Sequence, residues 1–154
     1  MTLPSLICFS LVSAAPLVAA NVTGKVELAD SRDISVSKAK DYSNVVAWLE
    51  PVRKEISMAR PAPVTLLQKN KRFTPHVIVV QAGTVVDFPN ADPIFHNAFS
   101  NFAGQPFDTG LYAPGTTQKI NFRREGVVRV FCNIHSNMSA VILVTASPYF
   151  TRYT

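Results

Sequence analysis

The chain has 154 residues, 47% of them apolar and 16% charged, and its 11 prolines outnumber its 6 glycines. That length suits one domain with a real core, and the composition excludes a disordered chain and fits a helical bundle poorly. The net charge of +5 permits contact with acidic partners, but the basic residues are scattered without interleaved base-stacking aromatics, so no nucleic-acid partner is expected.

Residues 1–20, MTLPSLICFSLVSAAPLVAA, carry no charged side chain and end in small residues. This reads as a signal peptide cleaved after Ala20, placing residues 21–154 in the periplasm or outside the cell as a single domain. The run is short beside the ~20 apolar residues of a spanning helix and is interrupted by Pro4 and Pro16, so no stable membrane insertion is expected after its removal. No Lys or Arg precedes it, which leaves an N-terminal anchor as the competing reading. Without Cys8, Cys132 is the only cysteine. A lone thiol in an oxidising compartment is buried and inert, paired with another chain, or bound to a metal.

Beyond residue 20, short apolar runs bounded by turn residues recur without repeats or helical periodicity, the pattern of an all-β sandwich. Strands are expected at residues 23–28 and 44–49, with a polar loop around Asp30, Ser31 and Asp33 between them. Residues 51–63 mix prolines with charges and read as a connection, because proline removes ladder donors, with a helical turn possible at 54–58. Strands at 64–67, 77–80 and 84–88 follow, the last two separated by Gln81, Ala82 and Gly83. Lys69, Lys71 and Arg72 read as a solvated turn. An aromatic-rich loop over 90–106 holds Phe95, His96, Phe99 and Phe102. Strands at 118–122, 126–131 and 140–145 bring the total to about eight.

The segment CNIHSNM, residues 132–138, then joins the last two strands and presents Cys132, His135 and Met138 at one end of the sandwich. A thiolate, an imidazole and a thioether prefer soft or borderline ions, and His₂Cys with a weak axial Met is the ligand set of a blue-copper electron-transfer centre. Taken singly, Cys132 would read as a buried structural cysteine and Met138 as core filler; their joint spacing argues for a metal. One further histidine is needed, and the remaining candidates are His76 and His96. His96 follows the 84–88 strand in an irregular segment and can reach the loop. His76 starts the 77–80 strand and is expected at a different height, so His96 is the better ligand and His76 a structural or surface residue.

At this point GTVVDFPNADPIFHN followed by CNIHSNM resembles the plastocyanin-type cupredoxins, and the C-x2-H-x2-M spacing is similar to the short ligand loop of amicyanin. The resemblance covers roughly residues 64–145, and the preceding segment resembles the N-terminal strands of a bacterial plastocyanin-like group. It implies a cupredoxin-like Greek-key β-sandwich. It also implies one type 1 copper ion held by His96, Cys132, His135 and Met138, the first three near a plane and Met138 axial. Asn97 would tie the two ligand loops together by hydrogen bonding, and Phe131 would be the aromatic beside the cysteine on the outer face. Phe88, Ile94 and Phe95 are expected to shield the sulfur. His135 would be the electron port, inside an apolar patch with Ile134, Pro93 and Phe99.

The function expected from this is a one-electron carrier between redox partner proteins that dock transiently near His135. The alternative is a periplasmic copper-binding or delivery protein. Such proteins are often Met- or His-rich, whereas this chain has three methionines and three histidines. With two histidines committed, too few remain for a second, catalytic copper, and no hydrolytic constellation is present, so an enzyme is not expected.

Overall fold

A computed structural model describes residues 21–28, 32–39, 41–50, 52, 61–101 and 104–153. The proposed signal peptide, most of the 51–63 connection and Phe102 lie outside the described residues.

In chain order the elements are α1 (Ile34–Ala39), β1 (Val46–Trp48), β2 (Val64–Thr65), β3 (Leu67–Lys69), β4 (Arg72–Thr74), β5 (Val77–Gln81) and β6 (Thr84–Pro89). They continue with β7 (Phe99–Ser100), β8 (Phe107–Asp108), β9 (Thr117–Phe122), β10 (Gly126–Phe131), β11 (Ser139–Thr145) and β12 (Phe150–Arg152). A five-stranded sheet runs β5-β11-β10-β7-β8, and a three-stranded sheet runs β2-β6-β9. Two small ladders, β3-β4 and β1-β12, complete the pairing.

Period-two alternation explains how the two sheets close on each other. Thr84, Val86 and Phe88 of β6 are buried while the residues between them are half-exposed. Val128 and Val130 of β10 and Ala140, Ile142 and Val144 of β11 do the same from the other sheet. Phe107 lies between Phe88 and Phe122, with ring centroids 5.9 and 5.7 Å away. Cys132 and Met138 belong to this same core cluster, so the ligand loop begins and ends on packed side chains. Between β5 and β6, Gly83 adopts φ +93° as the chain crosses from one sheet to the other, a conformation glycine takes without a Cβ clash.

Several sequence expectations need correction. Residues 23–28 form no strand: Val22, Val26 and Leu28 stay exposed, with no partner edge among the described residues. The expected 64–67 strand divides into β2, paired parallel to β6, and β3, paired with β4. Lys69 and Arg72 face each other across a hairpin whose two loop residues are Asn70 and Lys71, at φ 55° and 56°. Positive φ at both central positions is the type I′ geometry that matches strand twist. Only these two residues form the turn; Arg72 is in a strand. The short strands β7, β8 and β12 and the six-residue helix α1 were not expected either. No helix among the described residues is long and apolar enough to cross a membrane.

Candidate metal centre

Three segments meet at one end of the sandwich. The first is the 132–138 loop between β10 and β11, whose register pairs Phe131 with Ser139. The Cys132 N–H donates to the Met138 carbonyl at 3.2 Å and the Met138 N–H to the His135 carbonyl at 2.9 Å. These bonds turn the chain tightly, with Cys132 and Met138 buried, His135 half-buried and Ile134 exposed.

The second segment, residues 90–98, leaves β6 and is shaped by side chains. Asn90, 1% exposed, donates to the Ile94 carbonyl at 2.8 Å and accepts the Asp92 N–H at 3.1 Å, an Asx turn. His96 exchanges two backbone hydrogen bonds with Tyr112, at 3.3 and 2.8 Å. Its ring is therefore fixed in a fully buried position. Asn97 joins the two segments as expected: its Oδ1 accepts the Asn133 N–H at 2.8 Å, and its Nδ2 donates to Asp108 at 3.2 Å.

The result is a compact set of donors. His96 Nδ1 is 3.7 Å from Cys132 Sγ and His135 Nδ1 is 4.0 Å from it. One ligand atom from each of the three lies within 4.8 Å of the others. For nitrogen and sulfur donors about 2.0 and 2.3 Å from a first-row ion, trigonal placement separates N from S by about 3.8 Å. The cysteine–histidine spacings fit one ion at their centre. Met138, the expected fourth donor, is fully buried at the end of the same loop.

The third segment is the β3-β4 turn, which sequence reasoning did not connect to the centre. Asp92, 7% exposed, accepts the Asn70 N–H at 2.6 Å and the Lys71 N–H at 2.8 Å. The same carboxylate lies 2.8 Å from His96 Nε2. Burial pushes this carboxyl up, but the Lys71 N–H, the His96 ring and the Asn70 N–H together hold it below the usual carboxylate range. A carboxylate accepts, so His96 Nε2 carries the proton and Nδ1 keeps its lone pair toward Cys132. The signals in the sequence were an Asx turn in NADP and an Asn-Lys pair between two short strands. Neither names its partner.

His135 is placed differently. Burial, the His96 ring and the Lys71 charge push its pKa below the ordinary histidine value, with Asp92 opposing. Its ring centroid is 4.9 Å from that of His96. It lines a cleft of about 780 Å³ with Lys71, Arg72, His76 and Ile134, and no carboxylate among the described residues lines that cleft. Burial and then the Cys132 charge push the Tyr112 phenol upward; its hydroxyl donates to the Phe88 carbonyl at 2.9 Å.

His76 corrects one line of sequence reasoning. β5 runs parallel to β11 with Val77 opposite Val141, so the start of β5 stands at the ligand end, as does the end of β6. His76 and His96 do not differ in height. What separates them is side: His76 is exposed in the cleft, its Nδ1–H donating to the Ser139 carbonyl at 3.1 Å. It is not in the donor cluster. Phe95 also departs from expectation, at 54% exposed rather than shielding the sulfur, whereas Phe88 is fully buried. Phe131 and Phe99 pack together, centroids 5.9 Å apart, beside the cysteine.

No protein-family model matches the chain, and no curated protein matches its sequence. Solved structures do match. The copper-containing nitrite reductase (NirK) from Thermus scotoductus SA-01 superposes with a TM-score of 0.53 at 29% identity, over 62% of this chain and 25% of that one. A reduced Cu(I) form of an amicyanin variant gives 0.51 at 15% identity, over 58% of this chain and 87% of that one. Another Cu(I) amicyanin variant gives 0.51 at 13% identity, over 53% and 81%. The chain thus spans a quarter of the reductase and most of an amicyanin. It has the cupredoxin fold, and its His96–Cys132–His135 cluster fits a single type 1 copper ion.

Proposed function

Starting from a cupredoxin fold with a His₂Cys cluster, we propose that this protein is a one-electron carrier whose copper would be held by His96, Cys132 and His135, with Met138 as a fourth donor. The single observation that carries this is the rigidity of the donor set. His96 and Cys132 are buried, and both ligand segments are tied by Asn97 and anchored in the core. One-electron transfer is fast where both oxidation states share nearly one geometry, and donors locked by packing and hydrogen bonds provide that. Copper bound here supplies a reversible one-electron couple. The protein would take one electron from a reduced redox protein and pass it to an oxidised one.

His135 is the port, because its ring is half-buried at the surface while His96 is sealed. Ile134, next to His135 in the chain and in the cleft, is exposed there, a small apolar surface suited to transient contact. Lys71 and Arg72 line the cleft beside His135, with no carboxylate among its described lining residues. The partner surface that fits is therefore acidic, in keeping with the net charge of +5. Transfer between redox proteins outside the cytoplasm is the setting proposed. An acceptor site for copper delivery would leave its donors open to exchange; this one closes over His96.

The test is a potentiometric titration of the copper-loaded protein followed by its visible spectrum. A reversible one-electron couple, bleached on reduction and restored on oxidation without loss of metal, is expected. A protein that binds only Cu(I), stays colourless and surrenders it readily to a chelator would instead be a delivery protein.

A further inference from the structure

We propose that Asp92 is a positioning residue of the metal centre, one that fixes the His96 ring and lowers the reduction potential of the bound copper. This rests on the copper reading above.

Three contacts of one carboxylate carry it. Asp92 is buried, accepts hydrogen bonds from two consecutive backbone N–H groups of the Asn70–Lys71 turn, and lies 2.8 Å from His96 Nε2. A carboxylate bound to the outer nitrogen of a ligating histidine fixes its tautomer and ring orientation and raises the basicity of the inner nitrogen. Here the inner nitrogen is Nδ1, the atom facing Cys132 Sγ. A more basic nitrogen, with a negative charge behind it in a poorly screened interior, favours the doubly charged ion over the singly charged one. The potential therefore falls.

The turn is the other half of the device. Lys71 adopts φ 56°, a left-handed conformation that is uncommon for residues other than Gly, Asn and Asp. The two N–H groups of that turn converge on Asp92, so the carboxylate holds the turn and the turn holds the carboxylate. His135 has no equivalent carboxylate within hydrogen-bond reach among the described residues. The two histidine ligands thus differ in kind: one is backed by a fixed charge, and the other opens on a cationic cleft.

Asp92→Asn removes the charge and sets an amide NH₂ against one of the two turn donors, while an acceptor for His96 can remain. The expected result, read by potentiometry on the copper-loaded protein, is a rise in potential. A tenfold loss of Cu(II) over Cu(I) preference corresponds to about 59 mV for one electron. The Cu(II) affinity should fall about 10–100-fold, and the visible band should shift, since the His96 donor has changed. An unchanged or lowered potential in a coloured variant would overturn the proposal. A second measurement needs no variant. In the diamagnetic Cu(I) protein, the His96 Nε2 proton should exchange with solvent far more slowly than that of His135. Equal rates would overturn the proposal, whether or not Asp92→Asn folds. A wild-type chain that binds no copper would overturn both this proposal and the reading beneath it.

Discussion

Of the three histidines at the ligand end of this sandwich, His96 and His76 have opposite surroundings. His96 sits between the sheets, fully buried, with Asp92 on Nε2 and its Nδ1 turned to Cys132. His76 precedes β5, the edge strand beside β11, and is exposed to the cleft with Nδ1 spent on the Ser139 carbonyl. Height along the strands does not distinguish them, because the parallel pairing of β5 with β11 brings both to the same end. The difference is which nitrogen the protein protonates and which it leaves bare. His96 has an acceptor on its outer nitrogen and turns the inner one to Cys132, whereas the Nδ1 of His76 is already spent on a carbonyl.

That contrast can be broken by substitution. The largest effect is expected from His96→Ala, which removes one of the three clustered donors: Cu(II) affinity should fall by well over the ~100-fold upper range of a lost outer-sphere partner. His76→Ala should leave both affinity and colour unchanged, as read in parallel Cu(II) titrations. If His76→Ala bleaches the site and His96→Ala does not, the assignment of the two is reversed.

A smaller effect sharpens the same contrast. Asn97 is the bond between the two ligand segments, and Asn97→Ala leaves the Asn133 N–H without its acceptor. The cost to stability should be about 0.5–1.5 kcal/mol, the net worth of one hydrogen bond whose freed N–H can reach water, measured by denaturant unfolding of the metal-free protein. Copper affinity should also drop about 10–100-fold. A full loss of stability with unchanged affinity would mean that Asn97 braces the fold and not the site.

How much of this was legible in the sequence follows the range of the interactions. Cys132 and His135 lie within one short loop between two alternating strands, so their spacing alone marked them as donors. Asn97 was legible by resemblance, being next to His96. The choice of His96 over His76 was made on the wrong ground, since the parallel β5–β11 pairing is a long-range fact that periodicity does not carry. Asp92 stayed invisible for the same reason. Its role depends on two N–H groups presented by a turn 21 and 22 residues earlier. Strands β4, β7, β8 and β12 were missed because two or three residues are too few to show alternation. Phe95 was expected in the apolar shell around the Cys132 sulfur, whereas the Asx turn at Asn90 helps aim the segment so that Phe95 points out and His96 in.

The central claim is that Cys132, with His96 and His135, binds one copper ion through its thiolate. The most direct measurement is a Cu(II) titration of the protein and of Cys132→Ser, followed by visible absorption. The account predicts an intense thiolate-to-copper band that saturates at one equivalent in the parent and is absent from a Cys132→Ser variant of unchanged far-ultraviolet circular dichroism. A band that survives Cys132→Ser, or a parent that takes up copper without colour, would contradict it.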